Sequence, residues 1–175
     1  LQFSDSLALP GRLSENQFGF SRKFLVSNAY SIKTVNTFVP NSPDSVSYRV
    51  NVVPDQFPLI DVTEQADSLN PKNIYFSGRI QDDYGFSNLV FHYSKYSNDS
   101  TGKAQVQSGE FPIAFSKTNI SQAYYYFFDA ALYNLQPGDK VEYYFEVFDN
   151  DGVNGAKASK SRLMLFKAPS RDEIN

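Results

Sequence analysis

Acidic and amide side chains crowd into a few short stretches of this 175-residue chain. Asp82-Asp83 precedes Tyr84-Gly85, Asp149-Asn150-Asp151-Gly152 leads to Asn154, and Asp55 lies between Pro54 and Pro58. Clustered carboxylate and amide oxygens are what a hard cation such as Ca²⁺ requires. Asp55, Asp82, Asp83, Asp149, Asp151 and Asn154 are therefore the candidate calcium ligands, if the fold brings these stretches together. The competing reading is local: Asp, Asn and Gly close turns by side-chain-to-backbone hydrogen bonds and tolerate left-handed geometry. Asp149-Asn150-Asp151-Gly152 opens like an EF-hand loop but lacks the glutamate that closes one. No other cofactor is expected.

The remaining chemistry-bearing residues are sparse. His92 is the sole histidine, and its alternation with Phe91 and Tyr93 points it outward from a strand. One histidine with neither a thiol nor a fixed carboxylate partner makes a poor nucleophile-activating pair. No serine sits in a nucleophile elbow or beside a phosphate-binding glycine loop, so an enzyme is not expected. Glu142 and Glu146 project to the same side of one strand, as solvated charges do. Tyr124-Tyr125-Tyr126-Phe127-Phe128 places rings on both faces of a strand. Outward rings there would either pack under a second layer or stay open to stack on sugars or anchor a protein.

Positioning these residues falls to strands. The run Val141, Tyr143, Phe145, Val147 alternates with polar residues after a turn at Gln136-Pro137-Gly138-Asp139, and Ile74, Phe76, Gly78, Ile80 alternate likewise. Ile60 and Val62, Leu89 to Tyr93, a loose hairpin through Asn98 to Gly102, Phe111 to Phe115, Tyr124 to Phe128 and Leu163 to Lys167 complete about seven strands. The expected fold class is all-β: an immunoglobulin- or fibronectin-III-like antiparallel β-sandwich over 59–168, preceded by a partial β unit over 1–53. In that topology the loops after the second and sixth strands share one end of the sandwich with the incoming chain, which gathers the acidic residues. Residues 54–58 read as a stiff, proline-bounded linker. In the first part, Phe18 to Val26, Tyr30 to Thr34 and Val46 to Val52 read as the last strands of a preceding module. Ser170 and Glu173 fit a capping box, so 169–175 reads as the start of a helix or a solvated tail.

Composition removes further classes. Lys and Arg total 16 against 19 Asp and Glu, for a formal net charge of −3, and no basic stripe is present to neutralise phosphates. No nucleic acid is expected as a partner. Cysteine is absent, which excludes disulfides, thiol catalysis and thiolate zinc sites. No apolar run approaches the roughly 20 residues of a membrane span, so no membrane contact by this segment itself is expected. Met164 is the only methionine, which reads as a chain that begins inside a longer protein.

The blocks NVVPDQFPLI (51–60), FSGRIQDDYGFSNLVFHYS (76–94) and LQPGDKVEYYFEVFDNDGVNG (135–155) resemble a family of large bacterial, Gram-negative envelope proteins of unknown function. Its members carry N-terminal transmembrane helices, serial immunoglobulin-like modules and a long helical C-terminal region. The resemblance implies an extracytoplasmic module, in periplasm or cell envelope, of a membrane-anchored parent protein, and it supplies no catalytic residue. The Leu-x-Pro-Gly pattern is also similar to the start of strand F in fibronectin type III modules. There a tyrosine follows near the position of Val141, whereas here the first is Tyr143, so a standard tyrosine corner is not expected.

The function these residues point to is a non-catalytic structural or protein-interaction module, a spacer or docking unit. A calcium-rigidified adhesion-type repeat and a carbohydrate-binding module are the alternatives. Its expected partners are neighbouring modules of the same parent chain or another protein, with homo-association through the unpaired N-terminal strands also open.

Overall fold

The computed structural model describes residues 1–5, 12–14, 17–36, 38–98, 101–152 and 155–169. The chain divides into two compact units, Leu1–Pro54 and Asp55–Asn175.

In the first unit, β1 (Gln2–Phe3), β4 (Asn28–Asn36) and β5 (Val39–Val50) form an antiparallel sheet in the order β1-β4-β5. A separate two-stranded ribbon joins β2 (Arg12–Ser14) to β3 (Gln17–Gly19). Phe3 is buried, ringed by Phe20, Phe24 and Tyr30 at centroid distances of 5.6–6.1 Å. The Arg22 guanidinium lies 4.2 Å above the Phe3 ring and pairs with Asp5. Residues 20–27 therefore do not extend the strand that the Phe18-to-Val26 pattern implies. Phe20 and Phe24 instead fold as irregular backbone over Phe3, and strand pairing has already stopped at Gly19.

The second unit is an antiparallel β-sandwich. One sheet sets β11 (Ser121–Asp129) beside β8 (Asn73–Gln81), whose other side pairs with β6 (Leu59–Ile60) and β7 (Thr63–Ala66). The other runs β10 (Ala104–Pro112), β9 (Phe86–Asn98), β12 (Lys140–Asp149), with β13 (Ala158–Lys160) and β14 (Met164–Lys167) sharing the far side of β12. Ile74, Phe76, Ile80, Tyr124 and Phe128 from the first sheet meet Leu89, Phe91, Val141, Tyr143, Phe145 and Val147 from the second in one core. The period-two pattern of β8 and β12 thus buries as the pleat requires.

Two strands depart from the sequence reading. The fourth strand, β10, runs Ala104–Pro112 rather than through Phe111, Ile113 and Phe115; nearly all of it is exposed, because an edge strand beyond the core needs no apolar face. Ile113 is buried just past its end, and Phe115 packs edge-on against Phe86 at 6.3 Å. The last strand is two pieces, β13 and β14, interrupted where Ser161 takes over the ladder. Ser161 N–H donates to the Phe145 carbonyl (2.8 Å), and its Oγ accepts from Phe145 N–H (2.9 Å). Ser170 and Glu173 lie outside the described residues, as do Asp99 and Ser100 of the hairpin.

The Gln136-to-Asp139 turn is present, closed by Asp139 N–H to the Gln136 carbonyl at 3.0 Å. Buried Asp139 also accepts from Gln136 N–H (2.9 Å) and receives the Lys95 ammonium (3.5 Å), which itself donates to the Tyr133 and Asn134 carbonyls. This charge-assisted staple, rather than a tyrosine corner, ties the turn to β9 and to the chain that follows β11. Tyr143 turns inward instead, its hydroxyl donating to Glu64 Oε1 at 3.1 Å across the core.

Candidate functional site

Three places gather side chains able to do something beyond packing. The first is the end of the sandwich where β8 runs into β9, β12 ends, and the chain enters the unit. β12 ends in phase with its inward residues, so Asp149 follows Val147 into the interior and is almost wholly buried. A buried carboxylate without compensation is costly. Here Oδ1 accepts from Asp151 N–H (3.2 Å) and Lys157 N–H (2.8 Å), and Oδ2 lies 3.5 Å from the Lys157 ammonium. The same ammonium reaches Asp151 at 3.7 Å and hydrogen-bonds directly to Asp55 on the incoming segment.

Lys157 is thus the counter-ion of this acidic cluster. Its pKa is raised, first by the hydrogen bond it donates to Asp55 and then by the Asp55 and Asp149 charges, against the opposing effect of desolvation. The two other described candidates, Asp82 and Asp83, are engaged locally, although Asp82 Oδ1 is buried with no hydrogen-bond partner. Asp82 Oδ2 accepts from Tyr84 N–H (3.1 Å) and Gly85 N–H (2.8 Å), a turn that Gly85 completes with a φ of 111°. Asp83 accepts from Gln56 N–H at 3.5 Å. The two loops are neighbours, since Asn150 N–H donates to the Gly85 carbonyl and its side chain to the Tyr84 carbonyl. Among the described residues no three His, Cys, Asp or Glu side chains are arranged around a vacant metal position. Asn154 lies outside them.

Of this cluster the sequence reading missed Lys157, its central member. A loop lysine carries no periodicity, and its partner Asp55 stands 102 residues earlier. The one available signal is the lysine itself, placed a few residues beyond the Asp/Asn/Gly run that it compensates.

The second place is the outer face of the larger sheet. His92 lies between two carboxylates, Glu110 on β10 (Nδ1 3.5 Å) and Glu146 on β12 (Nε2 3.0 Å), and stacks on Tyr144 at 4.8 Å. Glu146 also faces the Lys160 ammonium at 3.8 Å. Only 13% of its side chain is exposed, so it is not the solvated charge that its outward register implies. Cross-strand neighbours on β9 and β13 cover it.

The third place is the outer face of the smaller sheet. Tyr125, Phe127 and Tyr75 point outward there and are 74%, 48% and 49% exposed. Phe127 and Tyr75 are direct cross-strand partners with rings 5.1 Å apart. Of the aromatic run only Tyr124 and Phe128 are buried; Tyr126 is half-covered and stacks on Phe91 at 4.4 Å.

No protein-family model matches the chain, and no curated protein matches it.

Proposed function

We propose that the chain is a non-catalytic spacer and docking module of an extracytoplasmic, membrane-anchored bacterial envelope protein. The observation that carries the reading is the clamp of Lys157 on Asp55. The segment that leads into the sandwich is bonded to the hairpin end of the same unit, with Gln56 N–H on Asp83, Pro58 buried, and the Lys157 ammonium 6.0 Å from the Phe57 ring. A module that grips its own leading segment converts a flexible link into a stiff one, which is what a serial spacer needs. The three ordered sequence blocks that resemble envelope proteins support the location and the anchored parent.

Strand order supports an immunoglobulin-like module of the fibronectin type III variety. The fourth strand, β10, pairs with the third, β9, instead of joining β11 as an immunoglobulin constant-type fourth strand would. The docking partners in this reading are neighbouring modules or another protein. The 12-residue β5 edge of the first unit, with Val46 and Tyr48 half-exposed, is the surface open to a second copy.

Amide relaxation on the whole chain tests the clamp. Asp55 to Phe57 should show backbone order parameters near the rigid value of about 0.85, and Asp55→Asn should lower them toward the flexible range below about 0.6. Flexible values in the unaltered protein would overturn the stiff-spacer reading.

A further inference from the structure

The register of the smaller sheet builds a small array on its outer face. Thr63, Ser77 and Tyr125 lie side by side across β7, β8 and β11, and Gln65, Tyr75 and Phe127 form the next row. All six side chains are exposed, and they line a shallow concavity of about 520 Å³. None of the six is charged; Arg79 and Asp129 lie one register position beyond, at opposite ends.

We infer that this array is a binding site for a neutral glycan chain. Three open rings offer faces on which the C–H side of a pyranose can stack, and burial of those faces supplies most of the attraction. Two hydroxyls and one carboxamide, each both donor and acceptor, stand within one strand spacing of the rings and match the mixed donor and acceptor character of sugar hydroxyls. Charge decides between a sugar and a protein. A charged group of a protein partner would find a counter-charge only at the two ends, at Arg79 and Asp129, and would stand unpaired over the six positions between. A neutral sugar leaves none. The strand spacing of about 4.8 Å also lays the rings and polar groups in parallel rows, a layout suited to an extended chain rather than a compact ligand.

Titration of the isotope-labelled whole chain tests this with linear hexasaccharides of β-1,4-glucose, α-1,4-glucose, β-1,4-mannose and β-1,4-N-acetylglucosamine, and with hexagalacturonate as the charged counterpart. At least one neutral hexasaccharide should move the amides of 63–65, 75–77 and 125–127, and hexagalacturonate should not. Tyr125→Ala should weaken that binding about ten-fold, a loss in the range of one lost ring stack, while amide positions away from the array stay fixed and show that the variant is folded. The inference is overturned if no neutral hexasaccharide moves these amides, if hexagalacturonate moves them more, or if Tyr125→Ala binds unchanged. It is equally overturned if the same amides shift with protein concentration alone, because a second copy would then be the occupant.

Discussion

The ring of Tyr124 lies across Gly78, its direct cross-strand partner, and its hydroxyl donates to the Asp61 carbonyl at 2.8 Å. A Cβ built on Gly78 would stand 2.1 Å from that carbonyl oxygen and 2.7 Å from the ring. The glycine is where the two halves of the first strand, β6 and β7, step around the crossing tyrosine. Asp61 secures the step through Arg79: its N–H donates to the Arg79 carbonyl at 3.0 Å, and its carboxylate accepts from Arg79 N–H at 2.9 Å. Gly109 sits under Tyr93 in the same relationship across β10 and β9.

Gly78→Ala should therefore destabilise the sandwich although it adds one methyl group. Backbone cannot yield as a flexible side chain can, so the loss should reach the upper part of the about 1–3 kcal/mol typical of overpacking. Tyr124→Phe keeps the ring over the glycine and loses only the hydroxyl bond, for about 0.5–1.5 kcal/mol. Urea denaturation of the two variants should rank them in that order. A neutral Gly78→Ala would show that the Asp61 step is not fixed.

Alkali should unfold this protein from its tyrosines. Burial, the leading cause in each case, pushes the Tyr124, Tyr133 and Tyr143 hydroxyls above the ordinary tyrosine range, with smaller contributions from Asp61, from Tyr126 and Tyr93, and from Glu64. The fold thus holds the neutral form, while unfolded tyrosines ionise near pH 10. Stability is complete below that pH and declines as pH rises from it toward the elevated folded values. Each buried tyrosine adds a slope of about 1.4 kcal/mol per pH unit across that window. Lys157, whose pKa is also raised, loses its contribution in the same direction. Urea midpoints from pH 9 to 11 should fall, and Tyr143→Phe should flatten the decline; a midpoint constant over that range would contradict the assignment.

Side chains that answer to the pleat were legible in the sequence, and side chains that answer to distant partners were not. Ile74, Phe76 and Ile80, and Val141, Tyr143, Phe145 and Val147, are buried because alternation and burial are one physical fact. β10 escaped because both of its faces meet solvent, which leaves no apolar period to read. β13 escaped because its backbone pairing with β12 at Glu146 to Phe148 places it, and Ala158-Ser159-Lys160 has no apolar face. Register set Glu146 on the outer face, yet only its neighbours His92 and Lys160 decide that it is covered. At the acidic end, residue type marked loops that do meet, but it carried no sign that the Lys157 ammonium stands among their carboxylates.

The ring packing of the core concentrates on one residue. Phe91 is fully buried and meets Tyr126, Phe145, Tyr143, Phe128 and Phe76 at centroid distances of 4.4–6.5 Å. Both sheets contribute those rings, so no single strand can close the void left by truncation. Phe91→Ala should cost about 3–5 kcal/mol, whereas Tyr125→Ala on the open face should stay within about 0.5 kcal/mol. Equal losses in chemical denaturation would mean that the face of Tyr125 is covered in solution.

Calcium offers the sharpest test of the acidic end. The Lys157 ammonium fills the position between Asp55, Asp149 and Asp151 that a divalent ion would need, so the unaltered protein should melt at the same temperature with and without millimolar Ca²⁺. Lys157→Ala removes the counter-ion and leaves buried Asp149 beside two further carboxylates, which should lower the melting temperature in the absence of metal. The same vacancy gives Ca²⁺ oxygen ligands where an ammonium stood, so added calcium should restore part of the loss. Lys157→Met separates the two effects, because its chain fills the space: it should melt low and respond to calcium less than the alanine variant. A rise in the unaltered protein's melting temperature with calcium would instead mean that the ion displaces Lys157, and the calcium-rigidified repeat would then be the better account of this end of the sandwich.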